Sequence, residues 1–224
     1  ETYFFRELRH FQVLRDHVLP RLLKRQTIEE EPLALWSAGC ATGEEPFSLA
    51  MSITEYQETE RLSFAVRILA TDLDTAALDK ARQGVFDQRS LRSLPTPYLE
   101  KYFQKQGARW RLNERVREMV DFRRHNLVRD GYDHPFLANM DVIFCRNVSI
   151  YFETEALEKV SAGLASCLRP GGYLFVGTTE TVRHNLGHLN LIEIDGVFLF
   201  NKAESAPDIP PQSDTQVTSY LAHP

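Results

Sequence analysis

The chain predicts an α/β domain built on a doubly wound, mostly parallel sheet. Three observations carry that prediction. Apolar runs at 33–38, 66–71 and 140–145 alternate with helical stretches, the β-α-β-α pattern of such sheets. A small-residue loop, Ala38-Gly39-Cys40-Ala41-Thr42-Gly43, joins the first run to a helix. Near the end, Asp195-Gly196 separates two strand-like segments, a two-residue hairpin signal that finishes the sheet with an antiparallel strand.

Element by element, residues 7–25 carry an apolar stripe (Leu8, Phe11, Leu14, Val18, Leu22) at the three-and-four spacing of a half-buried helix. Leu33 to Ala38 reads as a buried strand. A helix from Pro46 to about Gln57 follows, with proline suited to its first turn. Val66 to Thr71 forms a second strand ending at Asp72, and Asp74 caps a helix through Ala81. The alternation then breaks. Residues 84–122 are basic and aromatic, with a helical piece near Pro97 to Gln104 and two short alternating runs, Ala108 to Asn113 and Val116 to Phe122. They read as an inserted antiparallel hairpin. The main pattern resumes with strand Met140 to Cys145, a helix from Glu153 to Leu168, a Pro170-Gly171-Gly172 turn and strand Tyr173 to Thr178. Leu191 to Ile194 and Val197 to Asn201 make the final pair. From about 203 the composition turns to Ser, Pro, Asp and Gln, which reads as a disordered tail or linker.

The 224 residues suffice for one sizeable core, and 43% hydrophobic with 25% charged residues is ordinary for a globular chain. A net charge of −5 supplies no global field for nucleic acid. Basic residues nevertheless collect at Arg6, Arg9, Arg15, Arg21, Lys24 and Arg25, and at Arg82, Arg89 and Arg92, where an acidic partner would fit. Cys40, Cys145 and Cys167 lack metal-ligand spacing and read as thiols of a reducing compartment. The histidines (His10, His17, His125, His134, His184, His188) suggest no metal site, and Gly-x-Ser-x-Gly is absent. No apolar run approaches a membrane span and no signal peptide is apparent, so a cytoplasmic protein without membrane insertion is expected. The start without methionine suggests a fragment.

The loop brings Glu44 and Glu45 to the opening of its helix, beside backbone N–H groups expected to face a ligand. Two acids there disfavour a polyphosphate and suit a ligand with a cationic part. Asp72, at a strand end, is placed for ribose hydroxyls, with Asp74 as the better cap. Asn126, in His125-Asn126-Leu127, either closes a turn or meets an adenine edge. Arg146, Asn147 and Tyr151 follow directly on strand 140–145, at the carboxyl end where open α/β sheets bind ligands. Thr2-Tyr3-Phe4-Phe5-Arg6 reads either as a wall with a charge reaching inward or as a terminus tucking its aromatics into the core.

Together, Thr-x-Phe-Phe-Arg, Ser-Ala-Gly-Cys-Ala-Thr-Gly-Glu-Glu-Pro, Thr-Asp-Leu-Asp and Phe-Cys-Arg-Asn-Val-x-Ile-Tyr-Phe resemble the CheR-type methyltransferases. Those enzymes use S-adenosylmethionine to methylate glutamate side chains of bacterial chemoreceptors. The resemblance runs from residue 1 to about 202. It implies a Rossmann-like class I methyltransferase with a mostly parallel seven-stranded sheet, an antiparallel last strand and a small inserted β-subdomain. The catalytic domain would span 31–202, preceded by a linker and helix at 1–30. Arg6 and Tyr151 would be catalytic. Thr2, Arg6, Ala38, Gly39, Glu44 or Glu45, Asp72, Asn126, Leu127, Cys145, Arg146 and Asn147 would hold the cofactor, with no metal. The implied partners are acidic cytoplasmic helices of chemoreceptors. The family's basic N-terminal helical domain is missing. The insertion's turn around residues 104–108 has one glycine, whereas receptor-tail-binding members resemble one another in a longer, glycine-richer turn. Independence of a receptor C-terminal pentapeptide is therefore expected. A glutamate is ionised at neutral pH, so the reaction needs desolvation and aim instead of a base.

Overall fold

A computed structural model describes residues 1–25, 31–180 and 189–204, without the side chains of Arg25 and Tyr151. The expected tail from 205 onward, with His184 and His188, lies outside the described residues.

The first helix is one rod in three parts: α1 (Leu8–Val13), a π-helical turn at Leu14–Val18, and α2 (Leu19–Arg25). Leu19 N–H bonds back to the Leu14 carbonyl, five residues away. The wider turn falls just before Pro20, which has no N–H and would crowd the carbonyl four residues earlier in a regular α-helix. Phe11, Leu14, Val18 and Leu22 are buried as the stripe requires, while Leu8 is exposed.

Strand β1 (Leu33–Ala38) is buried along its whole length. Helix α3 (Glu44–Glu60) follows, then β2 (Val66–Asp72), α4 (Thr75–Gln83) and β3 (Val85–Phe86). Next come α5 (Thr96–Tyr102), β4 (Phe103–Gln106), β5 (Arg109–Leu112), α6 (Glu114–Arg117) and β6 (Val120–Arg124). The chain closes with β7 (Met140–Cys145), α7 (Thr154–Cys167), β8 (Leu168–Val176), β9 (Asn190–Ile194) and β10 (Val197–Asn201). Seven strands form one sheet in the order β6-β2-β1-β7-β8-β10-β9, parallel except for β10. This is the expected architecture. Asp195 and Gly196 both have positive φ, which matches the twist of a tight hairpin.

The inserted sheet is composed differently from the two-stranded hairpin the sequence suggested, with three strands. Its order is β3-β5-β4, with hairpin Phe103–Gln106 to Arg109–Leu112 turning at Gly107 and Ala108. Val120–Arg124 is not its second arm. It pairs in parallel with β2, from Ile68↔Val120 to Asp72↔Arg124, as the outermost strand of the main sheet. The helical piece stops at Tyr102, and Phe103 is already extended. Pro170-Gly171-Gly172 is not a chain reversal but an irregularity within β8. Gly171 N–H donates to the Lys202 carbonyl, and Lys202 N–H donates to that of Gly172.

Helix α3 is buried continuously from Pro46 to Thr54, and its last turn is exposed. Ser48, Ser52 and Thr54 satisfy their hydroxyls on carbonyls four residues back. The N-terminal strap fulfils both readings of its aromatics. Phe4 packs edge-on against Phe86 and Phe103, Phe5 against Phe11 and Tyr98, and Arg6 turns toward the sheet's carboxyl end.

Candidate active site

The parallel strands end together at one edge, where a cleft of about 540 Å³ opens between the β1–α3 loop, the end of β2, the β7 exit turn and the strap. Thr2, Arg6, Gly39, Glu45, Asp72, Arg146 and Asn147 all line it. Cys40, Thr42 and Asp74 line it as well. Ala38 and Cys145 end their strands fully buried, outside that lining.

The β1–α3 loop is held tightly. Gly39, Ala41 and Gly43 have positive φ. A Cβ on Gly39 would meet Val148 Cγ2 at 2.4 Å, so glycine lets this loop press against the β7 exit turn. Its N–H groups are largely spoken for. Those of Gly39 and Cys40 donate to the Thr71 carbonyl, that of Gly43 to the Cys40 carbonyl, and that of Ala41 to Asp72 Oδ2 at 2.8 Å. The expected row of ligand-facing N–H groups is thus mostly consumed inside the protein, and the cleft is no anion nest.

The two loop acids part company. Glu44 is buried and outside the cleft lining; its carboxylate accepts from Thr42 Oγ1 at 2.7 Å and from Ser90 Oγ at 2.9 Å. Glu45 faces the cleft, accepting from Ser37 Oγ at 2.7 Å and from Arg146 Nη1 at 3.3 Å. Adjacent helical residues point about 100° apart, so only one could face inward. Burial pushes the Glu45 carboxyl above the ordinary range, against the pull of Arg146 and Ser37. A buried carboxylate whose own ion pair does not offset its desolvation gains from a second cation.

Asp74 caps α4 through the N–H groups of Ala76 and Ala77. Asp72, expected to be free for a ligand, is already tied by Ala41 N–H and by Asp74 N–H at 2.9 Å. These bonds fix its position in the cleft and leave each oxygen a further lone pair. The Asn126 side-chain carbonyl accepts from Val128 and Arg129 N–H, closing a turn. Buried Leu127 offers its carbonyl to Tyr132 Oη at 2.7 Å; neither Asn126 nor Leu127 lines the cleft.

Arg146 is the hub. Its enclosed guanidinium donates to Glu7 Oε2 at 3.0 Å, to Glu45 and to the Arg6 carbonyl, and it lies 5.4 Å from the Phe11 ring centre. Burial works against the Glu7 carboxylate, yet Arg146 and His10 together bring its pKa below the usual value. His10 is buried beside them.

Two contributors escaped the sequence reading. One is Glu7. The other is Glu180, which is fully buried and accepts from Asn147 N–H (2.6 Å), Ser149 N–H (2.8 Å), Ser149 Oγ (2.6 Å) and Gly177 N–H (2.8 Å). It fixes the turn that presents Asn147, whose φ is +59°. The available signal was its place just past the carboxyl end of an apolar strand. Phe5, Glu7, Ala41 and Asn147 all have positive φ, a concentration of backbone strain around one cleft. Tyr151 lies in the short helical turn Ser149–Tyr151 that follows, but its side chain is outside the description.

Residues 1–198 match the family described as CheR methyltransferase, SAM binding domain. The chain belongs to this family. It is 39% identical over 186 residues to a chemotaxis protein methyltransferase of Borreliella burgdorferi, covering 82% of the chain and 65% of that relative. It is 38% identical over 197 residues to chemotaxis protein methyltransferase 1 of Pseudomonas aeruginosa, covering 86% and 70%. The chemotaxis protein methyltransferase Cher2 of Pseudomonas putida is 34% identical over the same length, with the same coverage. The chain thus spans about two thirds of the length of these relatives. The cofactor of this CheR domain is S-adenosylmethionine, and the cleft's chemistry fits it: an under-compensated acid, a fixed strand-end aspartate and no phosphate cradle.

Proposed function

We propose that this chain is the catalytic part of a protein-glutamate O-methyltransferase acting on bacterial chemoreceptors. The observation that carries the proposal is how charge is divided in the cleft: Glu45 and Asp72 on the sheet side, and the Arg6 cation on the strap. When bound, S-adenosylmethionine supplies a methyl group activated by a neighbouring sulfonium.

Glu45 is the residue placed for the cofactor's ammonium, since burial has left it in need of a cation. Asp72, oriented by two backbone N–H groups, is placed for ribose hydroxyls. Arg6 is the cleft cation placed for the substrate; among the described residues its Nη1 donates to the Glu1 carbonyl, at 2.8 Å. Arg146 cannot take that role, being enclosed between Glu7 and Glu45. Arg6 orients a carboxylate by a permanent, forked charge and replaces part of the water it sheds. Tyr151 is assigned the second donor. A substrate glutamate is ionised at neutral pH, so the chain has no proton to remove.

The two-residue turn at Gly107 and Ala108 supports independence of a receptor C-terminal pentapeptide. A receptor fragment shortened by five residues should be methylated as fast as the intact one. Among the described residues no helix is long and apolar enough to cross a membrane, and we place the protein in the cytoplasm with the receptors' signalling helices.

The test has two arms. Calorimetry with S-adenosylhomocysteine should show binding that Asp72→Ala and Glu45→Gln each weaken by at least tenfold. Incubation with a receptor cytoplasmic fragment and methyl-labelled cofactor should yield base-labile methanol. Unchanged affinity in both variants would remove the cofactor assignments. Binding without ester formation would favour a scaffold of the same fold.

A further inference from the structure

Around the cleft mouth the strap meets the turn between β3 and α5. Glu1 lines the cleft, and its Oε1 sits between two guanidinium groups, 3.2 Å from Arg89 Nε and 3.3 Å from Arg92 Nη1. Arg92 also lies over the ring of Tyr3, 3.7 Å from its centre. From this contact we infer that Arg89 and Arg92 form a second carboxylate site, which receives an acidic residue flanking the target glutamate and exchanges it for Glu1. The inference rests on the protein-glutamate methyltransferase reading and names a specificity element within it.

Three observations carry it. First, the turn is preorganised. Asp87 Oδ1 accepts from the N–H groups of Arg89 and Ser90, and Arg92 Nη1 donates to the Arg89 carbonyl at 2.8 Å. Second, it is fixed to the cofactor side of the cleft. Ser90 Oγ donates to buried Glu44 in the first turn of α3, and the Ser90 carbonyl accepts from Phe4 N–H. Glu44 thereby gains a purpose: it anchors the rim and does not face the ligand. Third, the pair is accessible. Arg89 is 80% and Glu1 56% exposed at the side chain. An exposed ion pair is weak and screened, so replacing one carboxylate with another is nearly balanced. The result is a bipolar cleft, acidic within for a cationic cofactor and basic at the rim for an acidic helix.

The alternative is a purely structural clasp in which Glu1 belongs permanently to the arginines. The two readings predict opposite signs for one variant. The probes are two receptor-derived helical peptides, each with one target glutamate, whose flanking acids are glutamate in one and glutamine in the other. Binding is measured by fluorescence anisotropy on the full chain loaded with S-adenosylhomocysteine. The acidic peptide should bind more tightly. Arg89→Ala and Arg92→Ala should each weaken it about three- to fivefold, leaving the glutamine peptide unchanged. Glu1→Gln should tighten the acidic peptide about threefold by removing the internal competitor. Arg89→Ala is the cleaner variant because its side chain packs on little.

If Glu1→Gln and Arg89→Ala weaken binding alike, or if the parent chain does not prefer the acidic peptide, the site is overturned. Ester formation separates this from the underlying reading. Equal methylation of both peptides, unaffected by the arginine variants, overturns the site and keeps the activity. Discrimination in binding without any ester keeps the site and overturns the activity.

Discussion

The floor and the rim of the cleft are both built from arginine and glutamate, yet they behave as different materials. On the floor, Arg146 is enclosed with Glu7 and Glu45, and Glu180 lies fully buried behind the β7 exit turn. At the rim, Glu1 and Arg89 are largely in water, and Arg92, lying on the Tyr3 ring, is partly so. The same charge pair fixes geometry where solvent is excluded and stays exchangeable where it is not. A methyl transfer site needs both: a rigid seat for the cofactor and a surface that can trade partners.

The comparison breaks most visibly at Arg146. Arg146→Met leaves two carboxylates facing each other without their cation, which should cost about 3–5 kcal/mol of folding stability. Chemical denaturation would read this directly. The triple variant with Glu7→Gln and Glu45→Gln should recover most of the loss, because the damage comes from the stranded charges. A single variant as stable as the parent would mean that water reaches the floor.

Glu180 ranks next. Glu180→Ala removes the acceptor shared by three backbone N–H groups and a hydroxyl, an expected loss of roughly 3 kcal/mol. Because Asn147 lines the cleft, S-adenosylhomocysteine affinity should fall as well, measured well below the variant's melting temperature. Stability lost with affinity intact would confine Glu180 to the scaffold.

Glu180 also marks where sequence reading ran out. The sheet was legible because β1 and β7 are buried end to end and so appear as unbroken apolar runs. Val120–Arg124 was misassigned because a short alternating strand looks the same in an inserted hairpin and at a sheet edge. Only its distant pairing with β2 distinguishes the two. Pro170-Gly171-Gly172 carried turn chemistry, but its amides find Lys202 in β10's extension and the strand continues. At the site, Asp72, Arg146 and Asn147 were marked by their position at strand ends. The choice between Glu44 and Glu45 depends on the rotation of α3 about its axis, which is set by contacts with Ser90 and Arg146 far away in the chain. Glu7 bears no local pattern that separates it from a surface acid, and Glu180 bears only its place past the end of apolar β8.

His10 sharpens the contrast by pH. Burial first, then the Arg146 charge, hold its imidazole down to about 4 from an ordinary 6.5, with Glu7 pulling the other way. The folded state therefore favours the neutral ring. Its contribution is complete above pH 6.5 and is lost as pH falls through the folded value near 4. By about pH 5 the loss should reach about 2 kcal/mol. Thermal melts of the parent and His10→Gln between neutral pH and pH 5 should converge by that amount, and parallel curves would show that the ring titrates as if in water.

The smallest expected effect lies at the rim, where a small value is what the comparison requires. Glu1→Gln removes a carboxylate that touches two guanidinium groups, a change that on the floor would be severe. Here all three side chains have solvent to replace the lost partner, so stability should change by less than about 0.5 kcal/mol. What change there is should vanish at 1 M salt, where screening reaches within about 3 Å. Urea denaturation at low and high salt reads both quantities. A loss above about 2 kcal/mol that persists in high salt would show that the rim is a desolvated clasp like the floor. The difference between the two regions would then be one of position and not of kind.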